Sequence, residues 1–154
     1  MKLRRAAEND KYGVWAVRTV AIRNISEKFY SQEEMQLWAP EAMPENYGEV
    51  VDAHNWYVIE LNNEIVATGY LDQKNHSVEA IFVKPEQQGN GFARMILEKI
   101  EEEARSFGFN KLTLESTLNA EIFYKKSGYK SIEKSKYHSP RGFKLDCIKM
   151  EKYL

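Results

Sequence analysis

Apolar side chains change their spacing several times along this chain, and each change marks an element. A short strand is expected over residues 2–6. From Asp10 the pattern turns helical, with Val14, Val17, Ala21 and Ile25 recurring at intervals of three and four to form one stripe. Asp10 stands where a helix N-cap belongs. A second helix is predicted from Ser31 to Trp38: Ser31 followed by Glu34 reads as a capping box, and Pro40 stops the run. Residues 40–54 hold two prolines and a glycine and read as an irregular crossing.

The period then changes to that of strands. Residues 56–61 form one strand, and Asn62-Asn63 is a turn pair that tolerates positive φ. Residues 64–71 return, residues 72–76 turn, and residues 77–83 make a third strand, giving an antiparallel meander. The longest helical segment runs from Gly89 to Phe107, with Ala93, Leu97, Ile100, Ala104 and Phe107 on one stripe. The glutamates at 101–103 read as a solvated face. Gly108 stops this helix, and a strand follows over Lys111–Glu115, reached by a crossover long enough to make it a parallel neighbour. Another helix spans Asn119–Lys126 and ends at Gly128. Strands over residues 129–134 and 143–152 close the chain around a polar loop at 139–142. The class is α+β, with a mixed sheet.

Composition narrows the function classes. Of 154 residues, 43% are hydrophobic and 29% charged, which supplies a core for one domain and excludes a disordered chain. The net charge of −1 gives no bulk positive field, so a nucleic-acid partner is not expected. The single cysteine, Cys147, makes no intrachain disulfide and reads as a buried small hydrophobe. The basic residues near the N-terminus lack an apolar run behind them, and no stretch nears the ~20 apolar residues that span a bilayer. No membrane partner and a cytoplasmic location are expected. His54, His76 and His138 show no ligand spacing, so no metal is expected.

The segment that bears chemistry is Val83-Lys84-Pro85-Glu86-Gln87-Gln88-Gly89-Asn90-Gly91-Phe92-Ala93-Arg94. A strand stops at a proline, a glycine loop follows, and a helix begins at once. Free N–H groups and the helix dipole converge there, and Gly89 and Gly91 let a ligand approach the main chain. This is an anion cradle, suited to a phosphate or pyrophosphate. No Gly-Lys-Ser/Thr follows, so it is not a P-loop. Arg94 occupies the third glycine position of a dinucleotide fingerprint, which argues against NAD.

What fits is Gln88-x-x-Gly91-x-Ala93 after Val83-Lys84-Pro85. With Asn119-Ala120-Glu121-Ile122-Phe123-Tyr124-Lys125-Lys126-Ser127-Gly128-Tyr129 farther on, the chain resembles the GNAT superfamily, the acyl-CoA-dependent N-acyltransferases. One departure is that Ala120 directly follows the asparagine, while Ile122 stands where the family has alanine.

The resemblance implies one N-acyltransferase domain over residues 1–154 and a mostly antiparallel sheet flanked by helices. The motif strand and strand 111–115 would run parallel and splay apart. Acetyl-CoA would be the co-substrate. Its pantetheine arm would lie along Ile81, Phe82 and Val83, and its pyrophosphate on Gln88, Gly89, Asn90, Gly91, Phe92, Ala93 and Arg94. Asn119 and Phe123 would line the channel. The acceptor would be an amine, either a small molecule or a peptide, and a homodimer is common in the family.

The implied reaction needs two proton carriers. An alkylammonium, with a pKa near ~10, attacks only after losing a proton, and the leaving thiolate needs one. Tyr124 holds the position of the general acid. Glu79, on the motif strand, is the candidate base and Glu115 the second. Trp38, Trp56, Tyr47 and Tyr137 are candidates for an aromatic acceptor wall. The alternative readings are a GNAT fold that binds acyl-CoA without turnover, and a nucleotide-binding protein.

Overall fold

The computed structural model describes residues 1–39 and 42–154; Pro40, expected to stop the second helix, lies outside them. Strands β1 (Lys2–Arg5), β2 (Asn55–Leu61), β3 (Glu64–Asp72) and β4 (Ser77–Val83) pair antiparallel, each with the next. Asn62 and Asn63, at φ 52° and 63°, make the expected tight turn between β2 and β3. Helix α4 (Phe92–Ser106) then crosses to β5 (Lys111–Ser116), which runs parallel to β4. The sheet is completed by β7 (Lys144–Tyr153) on β5 and by β6 (Lys130–His138) at the far edge. The order is β1-β2-β3-β4-β5-β7-β6, the mixed, mostly antiparallel sheet of the α+β reading.

Both faces of this sheet are covered, and alternation along β2 shows how. Tyr57 and Ile59 point into a core shared with Ile96, Leu97 and Ile100 of α4. Trp56 and Val58 point the other way, toward Val14 and Val17 of α1 (Lys11–Arg23). Ile96, Leu97 and Ile100 are at most 1% exposed, so truncating any one of them to alanine costs about 2–5 kcal/mol. Gly69 on β3 permits the close approach of α4, because a Cβ there would meet Ile96 Cγ2 at 2.7 Å and Ile81 Cγ1 at 2.8 Å.

Several local expectations are corrected. Asp10 does not cap α1. Its carboxylate instead accepts from the Ala7 amide at 2.8 Å and from the Arg4 guanidinium at 2.8 and 2.9 Å, and that bonding holds it below the usual carboxylate range. The buried stripe of α1 is Val14, Val17 and Ile22, and Ala21 and Ile25 face a cavity instead. Helix α2 (Gln32–Trp38) keeps its capping box, with the Glu34 amide donating to Ser31 Oγ at 3.1 Å. The stretch read as an irregular crossing contains α3 (Tyr47–Ala53), whose Gly48 sits tightly against Glu8 and Lys11.

Helix α4 starts three residues later than predicted, because Gly89 and Gly91 shape the loop before it. Phe107 is 40% exposed and leaves the stripe, while Ile96, not on the expected stripe, is fully buried. The second hairpin is longer than expected, with β6 reaching His138.

One correction concerns charge. Glu101, read as part of a solvated face, is 5% exposed. Its carboxylate accepts from Tyr129 Oη at 2.8 Å and from Lys152 Nζ at 3.0 and 3.2 Å. Lys152 also donates to the Ser127 carbonyl at 2.9 Å. These bonds tie α4 to the turn after α5 (Glu121–Lys126) and to β7.

Candidate functional site

The glycine loop has the predicted form. β4 ends at Val83, one 3-10 turn spans Pro85–Gln87, and Gly89 and Gly91 turn at φ 86° and 79°. L-residues with a side chain pay roughly 1–2 kcal/mol in that region. A Cβ at either glycine would meet nothing within 4 Å, so the constraint is conformational and the space above the loop is open. No side chain caps α4, and its first internal bond runs from the Met95 amide to the Gly91 carbonyl at 3.0 Å. The amides of Phe92, Ala93 and Arg94 therefore head the helix without an acceptor inside it. The phenyl ring of Phe92 is buried in the core, so only its amide faces the loop. Ala93 packs half-buried beside it, Asn90 is exposed, and Arg94 is exposed and paired with Glu98 at 2.8 Å.

β4 and β5 part almost as soon as they meet. Their one paired position is Ser77 with Thr113, where the Thr113 amide donates to the His76 carbonyl at 3.1 Å. A bulge bends β4 as well. Tyr70 pairs with Glu79 but Thr68 with Phe82, so β4 spends one extra residue, and Ala80 takes φ 54°. Simple alternation in the sequence hides this bulge, which turns the strand toward the gap.

A cavity of about 450 Å³ occupies that gap. Ile81, Phe82, Val83 and Gln88 line one side, and Asn119 and Tyr124 another. Asn119 is held on a 3-10 turn, Leu118–Ala120, that leads into α5. Phe123 is not among the lining residues; it packs half-buried on the core, its ring 5.0 Å from that of Tyr124.

Tyr124 and Glu79 share this cavity, and the phenol senses the Glu79 charge. Burial, with the Glu79 carboxylate second, raises the Tyr124 phenol well above its ordinary value, so it stays protonated. Its hydroxyl has no hydrogen-bond partner among the described residues, leaving its proton free for the cavity. Burial also raises the Glu79 carboxyl, against the opposing bond it accepts from Ser77 Oγ at 2.9 Å. Glu115 lines the cavity too but is exposed, and it accepts from Cys147 Sγ at 3.3 Å. Burial pushes the Cys147 thiol up to about 12, so it is a packed thiol and no nucleophile.

The proposed aromatic wall divides. Trp38 and Tyr137 line the cavity. Trp56 is core, its Nε1 donating to Thr68 Oγ1 at 2.6 Å, and Tyr47 packs edge-on against it. Among the lining residues that the sequence does not single out are Arg18, Tyr30 and Tyr70. Tyr30 bridges two elements, donating to the Asp146 carbonyl at 2.6 Å and accepting from the Leu118 amide at 3.0 Å.

Residues 26–154 match the family model of the acetyltransferase (GNAT) domain. The chain belongs to the GNAT acetyltransferase family. Solved structures agree on the fold of this GNAT protein. A GCN5-related N-acetyltransferase from Rhodopseudomonas palustris superimposes with a TM-score of 0.91 at 22% identity, over 99% of this chain and 95% of that one. The PaiA N-acetyltransferase of Thermoplasma acidophilum, solved in complex with coenzyme A, gives 0.76 at 16% identity, over 99% and 98%. YncA of Salmonella typhimurium, a putative acetyltransferase solved with acetyl-CoA, gives 0.71 at 19% identity, over 100% and 94%. No curated protein sequence matches the chain significantly. Among the described residues of this GNAT chain, no helix is long and apolar enough to cross a membrane, and no group of three or more acidic, histidine or cysteine side chains is placed to hold a metal.

Proposed function

We propose that residues 1–154 form one acyl-CoA N-acyltransferase domain that moves an acetyl group from acetyl-CoA to a primary amine by direct attack in a ternary complex. The observation that carries this reading is the shared cavity, in which a protonated phenol and a carboxylate sit in the gap opened by the splayed strands. Solved neighbours that hold coenzyme A or acetyl-CoA support the choice of co-substrate. The amides at 89–94 would take the pyrophosphate, and the Ile81–Val83 edge the pantetheine arm.

Glu79 removes a proton from the acceptor ammonium. The freed amine adds to the thioester carbonyl, a main-chain N–H on the splayed strand supports the oxyanion, Tyr124 gives its proton to the sulfur as the C–S bond breaks, and the second proton leaving the nitrogen restores the Tyr124 phenol. Calorimetry with coenzyme A and acetyl-CoA consumption across an amine panel test the reading. Absence of coenzyme A binding at millimolar ligand would overturn it.

The base assignment has its own signature. Glu79 must be ionised to act, and its pKa is raised, so activity is expected to fall with decreasing pH above the ordinary glutamate range. Glu79→Gln is expected to remove that acidic limb and lower kcat/KM by roughly 10²-fold. A limb that persists in the variant would move the base elsewhere, with Glu115 next.

A further inference from the structure

The cavity has a charged lining residue that the chemistry above does not use. Arg18, on α1, lines it with its guanidinium stacked 4.5 Å from the Trp15 ring centroid. Its Nη2 donates to the Trp38 carbonyl at 2.6 Å, while its Nη1 is buried with no hydrogen-bond partner. Arg141, from the loop between β6 and β7, donates to the same carbonyl at 2.9 Å. Two cations thus share one neutral acceptor. The charged and titratable groups that bear on Arg18 are Arg141, Tyr47 and Tyr137, none of them a carboxylate.

That arrangement is costly unless something completes it. Removing a guanidinium from water without a counter-charge is unfavourable, and its planar fork is built to bind a carboxylate through two bonds. The same cavity is also lined by Glu79 and Glu115, and by Asp146, whose carboxylate is paired with Lys136. Tyr137 lines it too, within electrostatic reach of both glutamates and of both arginines. A cavity that brings carboxylates and an uncompensated guanidinium together suits a molecule that is amine at one end and anion at the other. The space must also admit the thioester, which leaves room for a small acceptor.

We infer that the acceptor is a small amine bearing a carboxylate, its carboxylate held by Arg18 and Arg141 while its amine faces Glu79. This rests on the N-acetyltransferase reading given above and names its substrate class.

The test is the initial rate of coenzyme A release from acetyl-CoA with paired acceptors. Each pair is an amino acid and its carboxamide, drawn from the α-amino acids and from ω-amino acids of increasing length. The matching aminoalkyl phosphonates make a third arm. The wild-type protein is expected to favour at least one acid over its amide by roughly ten- to a hundredfold in kcat/KM, the range of a charge-assisted hydrogen bond. Arg18→Met is expected to bring that ratio to about one, and Arg18→Lys to keep part of it. Arg141→Gln, at an exposed position, is expected to lower the ratio by a smaller factor, which guards against a misfolded Arg18 variant. Coenzyme A affinity, read by calorimetry, separates the two readings. If coenzyme A binds but no pair favours the acid, or no pair is turned over, this inference falls and the N-acetyltransferase reading is judged on its own amine panel. A ratio that survives in Arg18→Met, or a preference for the phosphonate, also overturns the inference. If coenzyme A does not bind, both readings fall.

Discussion

Replacing Tyr124 by phenylalanine is expected to lower kcat by roughly 10²- to 10⁴-fold, the range of a positioned general acid, while leaving the KM for acetyl-CoA nearly unchanged. The substitution removes one oxygen and keeps the ring. Tyr124 is buried, and its ring packs edge-on against both Phe123 and Tyr129. Phenylalanine fills the same space, and the hydroxyl has no hydrogen-bond partner among the described residues to lose, so the melting temperature should move little. A leaving thiolate deprived of its proton donor slows the step in which C–S cleavage occurs, not the binding that precedes it. Steady-state kinetics with thermal denaturation as the control checks this. A variant with undiminished kcat would remove Tyr124 from the reaction, and a collapsed melting temperature would make it a core residue.

A large effect on stability, comparable to that of a core truncation, is expected at Lys152. Lys152→Met leaves the buried Glu101 carboxylate with Tyr129 as its remaining partner, and breaking a buried pair in this way costs about 3–5 kcal/mol. Lys152 is partly exposed, so the lower end of that range applies, about 3 kcal/mol. For a chain of this size that corresponds to a fall in Tm of roughly 6–12 °C. The double variant Glu101→Gln/Lys152→Met should recover much of the loss, because no charge is left alone. Thermal unfolding of the two single variants and the double checks the coupling. Additive losses would show that Glu101 and Lys152 do not act as a pair.

That pair also marks where sequence reading stops. A glutamate among four on one helix is solvated on average, and the spacing of Glu101 does not reveal that Tyr129 and Lys152, far along the chain, converge on it. The glycine loop was legible because its chemistry is local: strand end, proline, two glycines and an uncapped helix lie within a dozen residues. The meander and its asparagine turn were legible for the same reason. The bulge at Ala80 was not, because alanine gives no hint of positive φ and the cause is pairing with β3. α3 was missed because a short helix containing Gly48 is held by contacts with Glu8 and Lys11 rather than by propensity. Arg18 escaped because the residues that make it unusual, Trp15, Trp38 and Arg141, come from three separate elements.

The solitary rung between β4 and β5 has a consequence for the life of the protein. Among the described residues, main-chain pairing joins the four strands on one side to the three on the other through that single rung, so the middle of the sheet is the seam with the fewest main-chain bonds. On the proposed reading, bound acetyl-CoA supplies bonds across the seam that the polypeptide does not make for itself. Occupancy at a hundred times the dissociation constant would add about 2.7 kcal/mol against unfolding. Saturating acetyl-CoA would then shield the chain from proteases, and its removal would expose the chain to cleavage.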